Sequence, residues 1–423
     1  MHKQKIFYGW WIVLAGSSIA VLQSGFYVYG FGVFYVHLLE ALGSSRAALG
    51  GVIGLARLEG GLISPLSGWL IDRYGPRRFM FLGITVIGIG FIVLSITTQL
   101  WTLYVLFLVM SAGASIGGMR GVTVALANWF RLNRGKAMGF YYLGSGLGGS
   151  LGFALAWLIS TFGWRSAALT AGCIFMALGY PLASLIYHRP EQKGLLPDGI
   201  LPEKTISLGD ESENPSYDQQ EGEPEFSPRQ ALRTRAFWML AIGYAGWSSV
   251  VTVVTVYQIP YFMEDMGVTF VRAAAIASLV PAVSLIGRLG FGWLSDQIDV
   301  RVLLSSLFLF QAVGLAILAN IPNAGWAPLY LLVFAPAYGG SLPLRSVIMA
   351  HFYGRRNFGT ISGLLTFVDL PGTVLGPIFV GAVFDTLGSY RPGFLVIAVW
   401  MLVGSVALFT ARRPVIKQET VVS

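Results

Sequence analysis

One stretch occurs twice in this chain, and the repetition constrains the fold more than any other feature. GWLIDRYGPRR, residues 68–78, returns in part as GWLSDQIDVR from Gly292, so Gly68, Trp69, Leu70 and Asp72 recur as Gly292, Trp293, Leu294 and Asp296, each 224 positions on. The same offset relates Gly139 to Gly363 and Gly148 to Gly372, which carries the repeat past the loop into the segments that follow. The chain is a duplicated unit. Each copy lies between apolar runs long enough to cross a bilayer, which takes about 20 residues.

Twelve such runs occur, in two sets of six. Hydrophobic residues make up 55% of the 423 and charged residues 11%, against about 25% charged in a soluble domain. The composition predicts an all-α membrane protein with twelve transmembrane helices in two pseudo-symmetric six-helix bundles. The bundles are expected at residues 1–187 and 236–423. Residues 188–235, which hold six prolines and ten acids against six bases, read as a flexible linker between them, since this composition cannot bury a core. With the N-terminus placed inside, 20 of the 28 Lys and Arg fall on the cytoplasmic side, four outside (Arg46, Arg165, Arg272, Arg391) and four within spans. That is the positive-inside bias. It predicts a multi-pass protein of the cell membrane with both termini cytoplasmic. It also explains the net charge of +8 by contact with lipid headgroups, with no nucleic-acid partner. The first apolar segment, after Lys3 and Lys5, lacks a small-residue cleavage site and reads as a retained helix.

The loop at 68–78 resembles the signature loop of the major facilitator superfamily, in which glycine allows close helix approach, the aspartate caps a helix end and arginines face headgroups. That resemblance implies gating roles for Asp72, Arg73 and Arg77, and for Asp296 in the degenerate copy. NWFRLNRGKAMGFYYLGSGLGGSLG, residues 128–152, sharpens it. An aromatic pair, a basic loop, an R-G and a glycine ladder are similar to the start of the fifth helix in the monocarboxylate porter and oxalate/formate antiporter families. Gly144, Gly148 and Gly152 share one helical face at small-xxx-small spacing. No strand precedes them, so they are not a nucleotide cradle.

Charges inside predicted spans are functional candidates by default. Arg57 and Glu59 lie near the middle of helix 2, and two residues apart they point about 200° away from one another. Arg120 on helix 4 reads as a substrate contact or a loop anchor, and Arg345 near the inner end of helix 10 as a snorkelling anchor. Arg288 lies on helix 8 between Gly287 and Gly290. In the porter families an arginine at this place binds the substrate carboxylate, and the two glycines would clear bulk around it. Tyr29 and Tyr257 would supply apolar walls and hydroxyl donors; relatives often show histidine at the place of Tyr257. Asp369 on helix 11 lies at a depth similar to Arg57, and since helices 2 and 11 meet in the superfamily, an Arg57 to Asp369 bridge would hold one state. Relatives with an acid four residues before the arginine differ here, where Ser284 stands, and the lysine of the antiporter branch is absent from every predicted span.

These features predict a secondary transporter moving a small organic anion, a monocarboxylate, by alternating access, either proton-coupled or exchanging. Alternatives are efflux of other small molecules, which favours an acidic cavity, and a membrane sensor on a transporter scaffold. An enzyme is not expected, because His2, His37, His188 and His351 are scattered at helix ends and loops, and a lone Cys173 offers no metal cluster. No cofactor and no metal are expected. The implied partners are the anion, protons and membrane lipids, and the working unit is expected to be a monomer.

Overall fold

The computed structural model describes residues 7–43, 46–199 and 225–415. The chain divides into two compact units, Met1–Gly209 and Asp210–Ser423. In the first, α1 (Tyr8–Leu22), a π-helical turn Gln23–Tyr29 and α2 (Gly30–Leu42) form one rod. Then come α3 (Arg46–Tyr74) and α4 (Pro76–Ile96), followed by α5 (Leu100–Gly117) and α6 (Met119–Trp129). Next are α7 (Arg134–Leu147) and α8 (Leu151–Ser184). The second unit holds the short α9 (Pro228–Arg233), α10 (Arg235–Glu264), α11 (Phe270–Leu294) and α12 (Val300–Asn320). It ends with α13 (Ala327–Tyr353), α14 (Phe358–Leu387) and α15 (Arg391–Thr410). No strand occurs among the described residues.

Ten helical stretches among the described residues are long and apolar enough to cross a membrane. One of them, Arg134–Ser184, is two rods, because Gly163 interrupts α8 at φ 80° and ψ 159°. A left-handed, extended glycine here lets the chain reverse between the fifth and sixth spans. Adding α3, 29 residues long but carrying Arg57 and Glu59, completes the twelve rods expected from the sequence.

The repeat is also a repeat of contacts. A Cβ on Gly148 would stand 2.8 Å from the Val21 carbonyl oxygen and 2.9 Å from the Gly25 nitrogen. Gly372, 224 positions on, meets the backbone of Ala245, which lies 224 after Val21, and its carbonyl accepts a hydrogen bond from Ser249, 224 after Gly25. The fifth rod thus touches the first as the eleventh touches the seventh, through glycines that admit backbone contact. Gly60 faces Ser115, and their counterparts Ser284 and Gly339 also meet. Here the small residue has changed sides while the close crossing is kept.

The expected linker differs at both ends. Residues 190–193 and 197–199 form 3₁₀ turns, and the Asp198 carboxylate accepts hydrogen bonds from the backbone N–H groups of Arg131 (2.9 Å), Leu132 (2.9 Å) and Asn133 (3.3 Å). On the far side Phe226 is buried, its N–H donates to Tyr353 O, and Asn357 Nδ2 donates to Phe226 O. Asn133 and Asn357 are themselves 224 apart, so each linker end docks on the equivalent loop of its own half. Residues 200–224, the rest of the expected linker, lie outside the described residues.

Candidate functional site

Two backbone irregularities in the first half lie side by side at membrane depth. Regular helix is interrupted at Gly118 (φ −90°, ψ −141°) between α5 and α6, and the buried Gln23, which opens the π-helical turn, fills the space beside it. Irregular backbone at this depth is tolerated where protein or a cavity surrounds it, and π-turns favour functional places. Next to this point lies a cavity of about 570 Å³. Tyr27, Tyr29, Arg57, Phe107, Ser111 and Ser115 are among its walls. Arg57 is exposed to it and makes no ion pair among the described residues.

Arg120, two residues past the break, donates to the Ser64 carbonyl at 2.6 Å and to Ser67 Oγ at 3.2 Å. Its guanidinium therefore ties α6 to α3. Arg73 lies over the rings of Trp69 and Tyr74 at 5.3 and 5.6 Å, and Arg77 over Tyr187 at 5.4 Å. These two gate candidates rest on aromatic faces at a helix end, an arrangement that stabilises a guanidinium without an acid. Asp72 and Asp296 are both engaged with neighbours.

The second half places its charges differently from the expectation. Asp369, 3% exposed, pairs with Arg345 at 2.8 Å; the partner expected from the sequence was Arg57. Arg345 also donates to Thr366 Oγ1 at 3.0 Å and lies 4.7 Å from the centre of the Tyr244 ring. It is an interior ion-pair partner and not a snorkelling anchor, since a buried aspartate within reach satisfies it better than a climb to the headgroups. Arg288 is 2% exposed on α11. Its neighbour Gly287 is filled by the Pro336 backbone, whereas Gly290 faces open space. Gly287 therefore serves the α11 to α13 crossing and clears no room for a ligand. Tyr257 donates its hydroxyl proton to the Pro377 carbonyl at 2.9 Å and its ring lies against that of Tyr390, so its hydroxyl proton is already committed. Among the described residues no cluster of three or more metal-ligating side chains occurs.

Sequence reasoning missed Gln23, Tyr27 and Ser111. The first two fall in a run that reads as ordinary apolar helix, and the signal they carried was a pair of polar groups near Gly25. Ser111 was one serine in a stretch of small residues.

Twelve membrane-spanning rods in two repeated six-rod units, with charges and broken helices inside, define a membrane transporter. Residues 17–370 match the family model described as Major Facilitator Superfamily, and the chain belongs to that superfamily. Within it the chain is 27% identical to monocarboxylate transporter 13 of Bos taurus over 416 residues, 95% of this chain and 89% of that one. It is 26% identical to a gallate transporter of Pseudomonas putida, with 84% of each chain covered. The fold is similar to the E. coli fucose:proton symporter (TM-score 0.70, 15% identity, 95% of this chain and 98% of that one). It is also similar to a human organic anion transporter (TM-score 0.66, 15% identity, covering 95% and 97%). The chain is a major facilitator transporter, and its sequence resembles those of the monocarboxylate transporters.

Proposed function

We infer that this protein carries a small organic anion, a monocarboxylate, across the cell membrane by alternating access of its two halves, with protons or a second anion as the coupled species. The carrying observation is the charge balance inside the spans: Arg57, Arg120, Arg288 and Arg345 stand against Glu59 and Asp369, and Arg345 consumes Asp369. A guanidinium at bilayer depth costs about 2.5 to 3.5 kcal/mol on permissive scales, so a surplus of them favours an anionic cargo and disfavours efflux of cations. The names of the relatives point the same way, to monocarboxylates and an aromatic acid.

Arg288 is the residue we assign to the carboxylate, because its planar fork matches two oxygens and stays charged at all working pH. Arg120 and the rings of Tyr29 and Tyr257 complete the substrate set. Asp72, Arg73, Arg77 and Asp296 gate, with both termini and the 188–235 segment cytoplasmic. Arg57, Glu59 and Asp369 carry the coupling.

Purified protein in proteoliposomes, offered labelled short aliphatic monocarboxylates and gallate, tests this. Saturable uptake of one class is expected, driven by an acid-outside gradient or by preloaded anion. Arg288→Lys should weaken binding of that acid at least tenfold, about 1.4 kcal/mol. Unchanged affinity in folded Arg288→Lys and Arg288→Ala removes Arg288 from the site, and uptake of organic cations alone overturns the anion reading.

A further inference from the structure

The two halves differ at one point where the repeat predicts likeness. YHRP, residues 187–190, returns 224 positions on as ARRP, residues 411–414, so Tyr187 corresponds to Ala411 and His188 to Arg412. Arg301, the second residue of α12, corresponds in the same way to Arg77, and Arg235, the first of α10, to Trp11. In the first half Arg77 lies over the Tyr187 ring at 5.4 Å, and Lys193 lies over the rings of Tyr8 and Tyr187 at 4.1 and 4.4 Å. There the arginine has a ring against it, and the 190–193 turn folds back on the same ring.

In the second half the corresponding place is open. Ala411 brings no ring, and Arg235, Arg301, Phe409, Ala411 and Arg412 are among the walls of a cavity of about 720 Å³. That volume lies within the roughly 300 to 1,000 Å³ of sites that take small ligands. Arg301 is weakly held: its Nη1 donates to the Ala411 carbonyl and its Nη2 to Asp299, each at 3.4 Å. Both contacts are longer than the roughly 2.7 to 3.2 Å of an ordinary N–H···O bond. Its Nε is sealed from solvent and has no partner. Arg235 and Arg412 are exposed and make no ion pair among the described residues. Asp299, itself half-exposed, offsets one of the three charges.

We propose that this cavity binds the phosphate of an anionic phospholipid, held by Arg235, Arg301 and Arg412. A guanidinium offers two parallel N–H groups to phosphate oxygens and keeps its charge as it does so. Basic pockets between helices at the cytoplasmic face take anionic headgroups, and the positive-inside bias puts this end of α10, α12 and α15 at that face. Scattered arginines at helix ends need no more than headgroups in general. Convergence on one cavity is what distinguishes these three, and two of them, Arg235 and Arg412, have no arginine as counterpart in the first half.

The apolar surface beside the cavity selects a lipid over a free anion. Phe409 lines the cavity and is 58% exposed. Leu402, Val406 and Phe409 recur at helical spacing and are all exposed, so α15 presents an apolar ridge that runs from the cavity along the span. A headgroup held by the arginines lays its acyl chains on that ridge, whereas inorganic phosphate would leave the ridge unused.

The test is the thermal unfolding of full-length protein in neutral detergent, followed by tryptophan fluorescence. Phosphatidylglycerol, phosphatidylcholine of the same acyl chains, or inorganic phosphate is added at equal concentration. Phosphatidylglycerol should raise the unfolding temperature saturably, and the other two should not. Arg235→Gln/Arg301→Gln/Arg412→Gln should weaken the apparent affinity for phosphatidylglycerol roughly tenfold or more. The control Arg229→Gln/Arg233→Gln/Arg356→Gln loses the same charge outside the cavity and should keep the affinity. Arg235→Gln/Arg412→Gln changes exposed side chains alone and makes the same comparison where the triple variant does not fold. Equal stabilisation by phosphatidylcholine, or none by any of the three, overturns the proposal. Equal stabilisation by inorganic phosphate overturns the lipid, and an equal loss of affinity in the control overturns the cavity.

Discussion

Arg345 and Asp369 sit 2.8 Å apart inside the second half, joining α13 to α14, with the aspartate buried and the arginine mostly so. Thr366 adds an acceptor one turn from Asp369, and the Tyr244 ring covers the guanidinium face. The fork has an acid, a hydroxyl and a π surface around it, so its burial is compensated. The cluster ties the tenth rod to the eleventh.

The first prediction follows from that geometry. Removing one partner of a buried ion pair leaves an uncompensated charge and costs about 3 to 5 kcal/mol, whereas replacing both by apolar groups is far milder. Arg345→Leu and Asp369→Leu should each melt well below wild type, and the double replacement should recover most of the loss. Thermal unfolding of the purified variants, followed by tryptophan fluorescence, checks this. Additive losses in the double variant would mean that the two charges do not act as a pair.

The twelve rods and the duplication were legible because bilayer length and an exact offset are one-dimensional signals. The mirrored contacts of Gly148 and Gly372 were half legible: the glycines stood out, but their partners Val21, Gly25, Ala245 and Ser249 have no special pattern. Asp369 and Arg345 were visible singly and not as a pair, because 24 residues and a loop separate them and helical periodicity does not say which neighbouring rod a charge meets. The site around Ser111 was illegible for a different reason. It depends on the π-turn at Gln23–Tyr29 and the break at Gly118, and backbone register shifts of this kind leave no mark on apolar periodicity.

A second prediction concerns Asp198, which holds three consecutive backbone N–H groups from a left-handed conformation, φ 60° and ψ 10°. Hydrogen bonds to a charged group are worth about 1.5 to 3 kcal/mol. Asp198→Gly keeps the backbone conformation accessible and deletes the carboxylate, so residues 190–199 should undock. Tryptic cleavage after Lys193 should quicken by roughly tenfold or more, the equivalent of about 1.4 kcal/mol. Asp198→Asn, which keeps one acceptor oxygen, should fall between. Equal cleavage rates in all three proteins would show that the carboxylate does not hold this segment.

His188 supplies a pH test outside the spans. Burial, and then the neighbouring Arg189, hold its imidazole down to about 4, against about 6.5 in an unfolded chain. The unfolded chain therefore takes up the proton first as pH falls. The contribution is fully present above about 6.5 and is lost as the pH drops toward 4, so stability rises with pH across that window. His188→Gln removes the titration, and its melting temperature should depend less steeply on pH between these limits. A slope identical to wild type would place the acid sensitivity elsewhere.

The last prediction separates the two glycines that flank Arg288. Gly287 lies against the backbone of Pro336, and a turn back along the same crossing Gly339 lies against that of Ser284. The eleventh and thirteenth helices of the chain thus touch main chain to main chain at two levels, with no room for a methyl group. Adding one forces the rods apart, and overpacking of this kind costs about 1 to 3 kcal/mol. Gly290 has nothing within 4 Å of where a Cβ would stand, so alanine there meets no obstacle and restrains the unfolded chain, a gain of about 0.4 to 1 kcal/mol. Gly287→Ala should lower the unfolding temperature and Gly290→Ala should hold or raise it. The difference matters for function because Arg288 sits on the residue after the contact: if the crossing sets its position, Gly287→Ala should also weaken carboxylate binding while Gly290→Ala leaves it intact. Similar stability and affinity in the two variants would show that the crossing does not position the arginine.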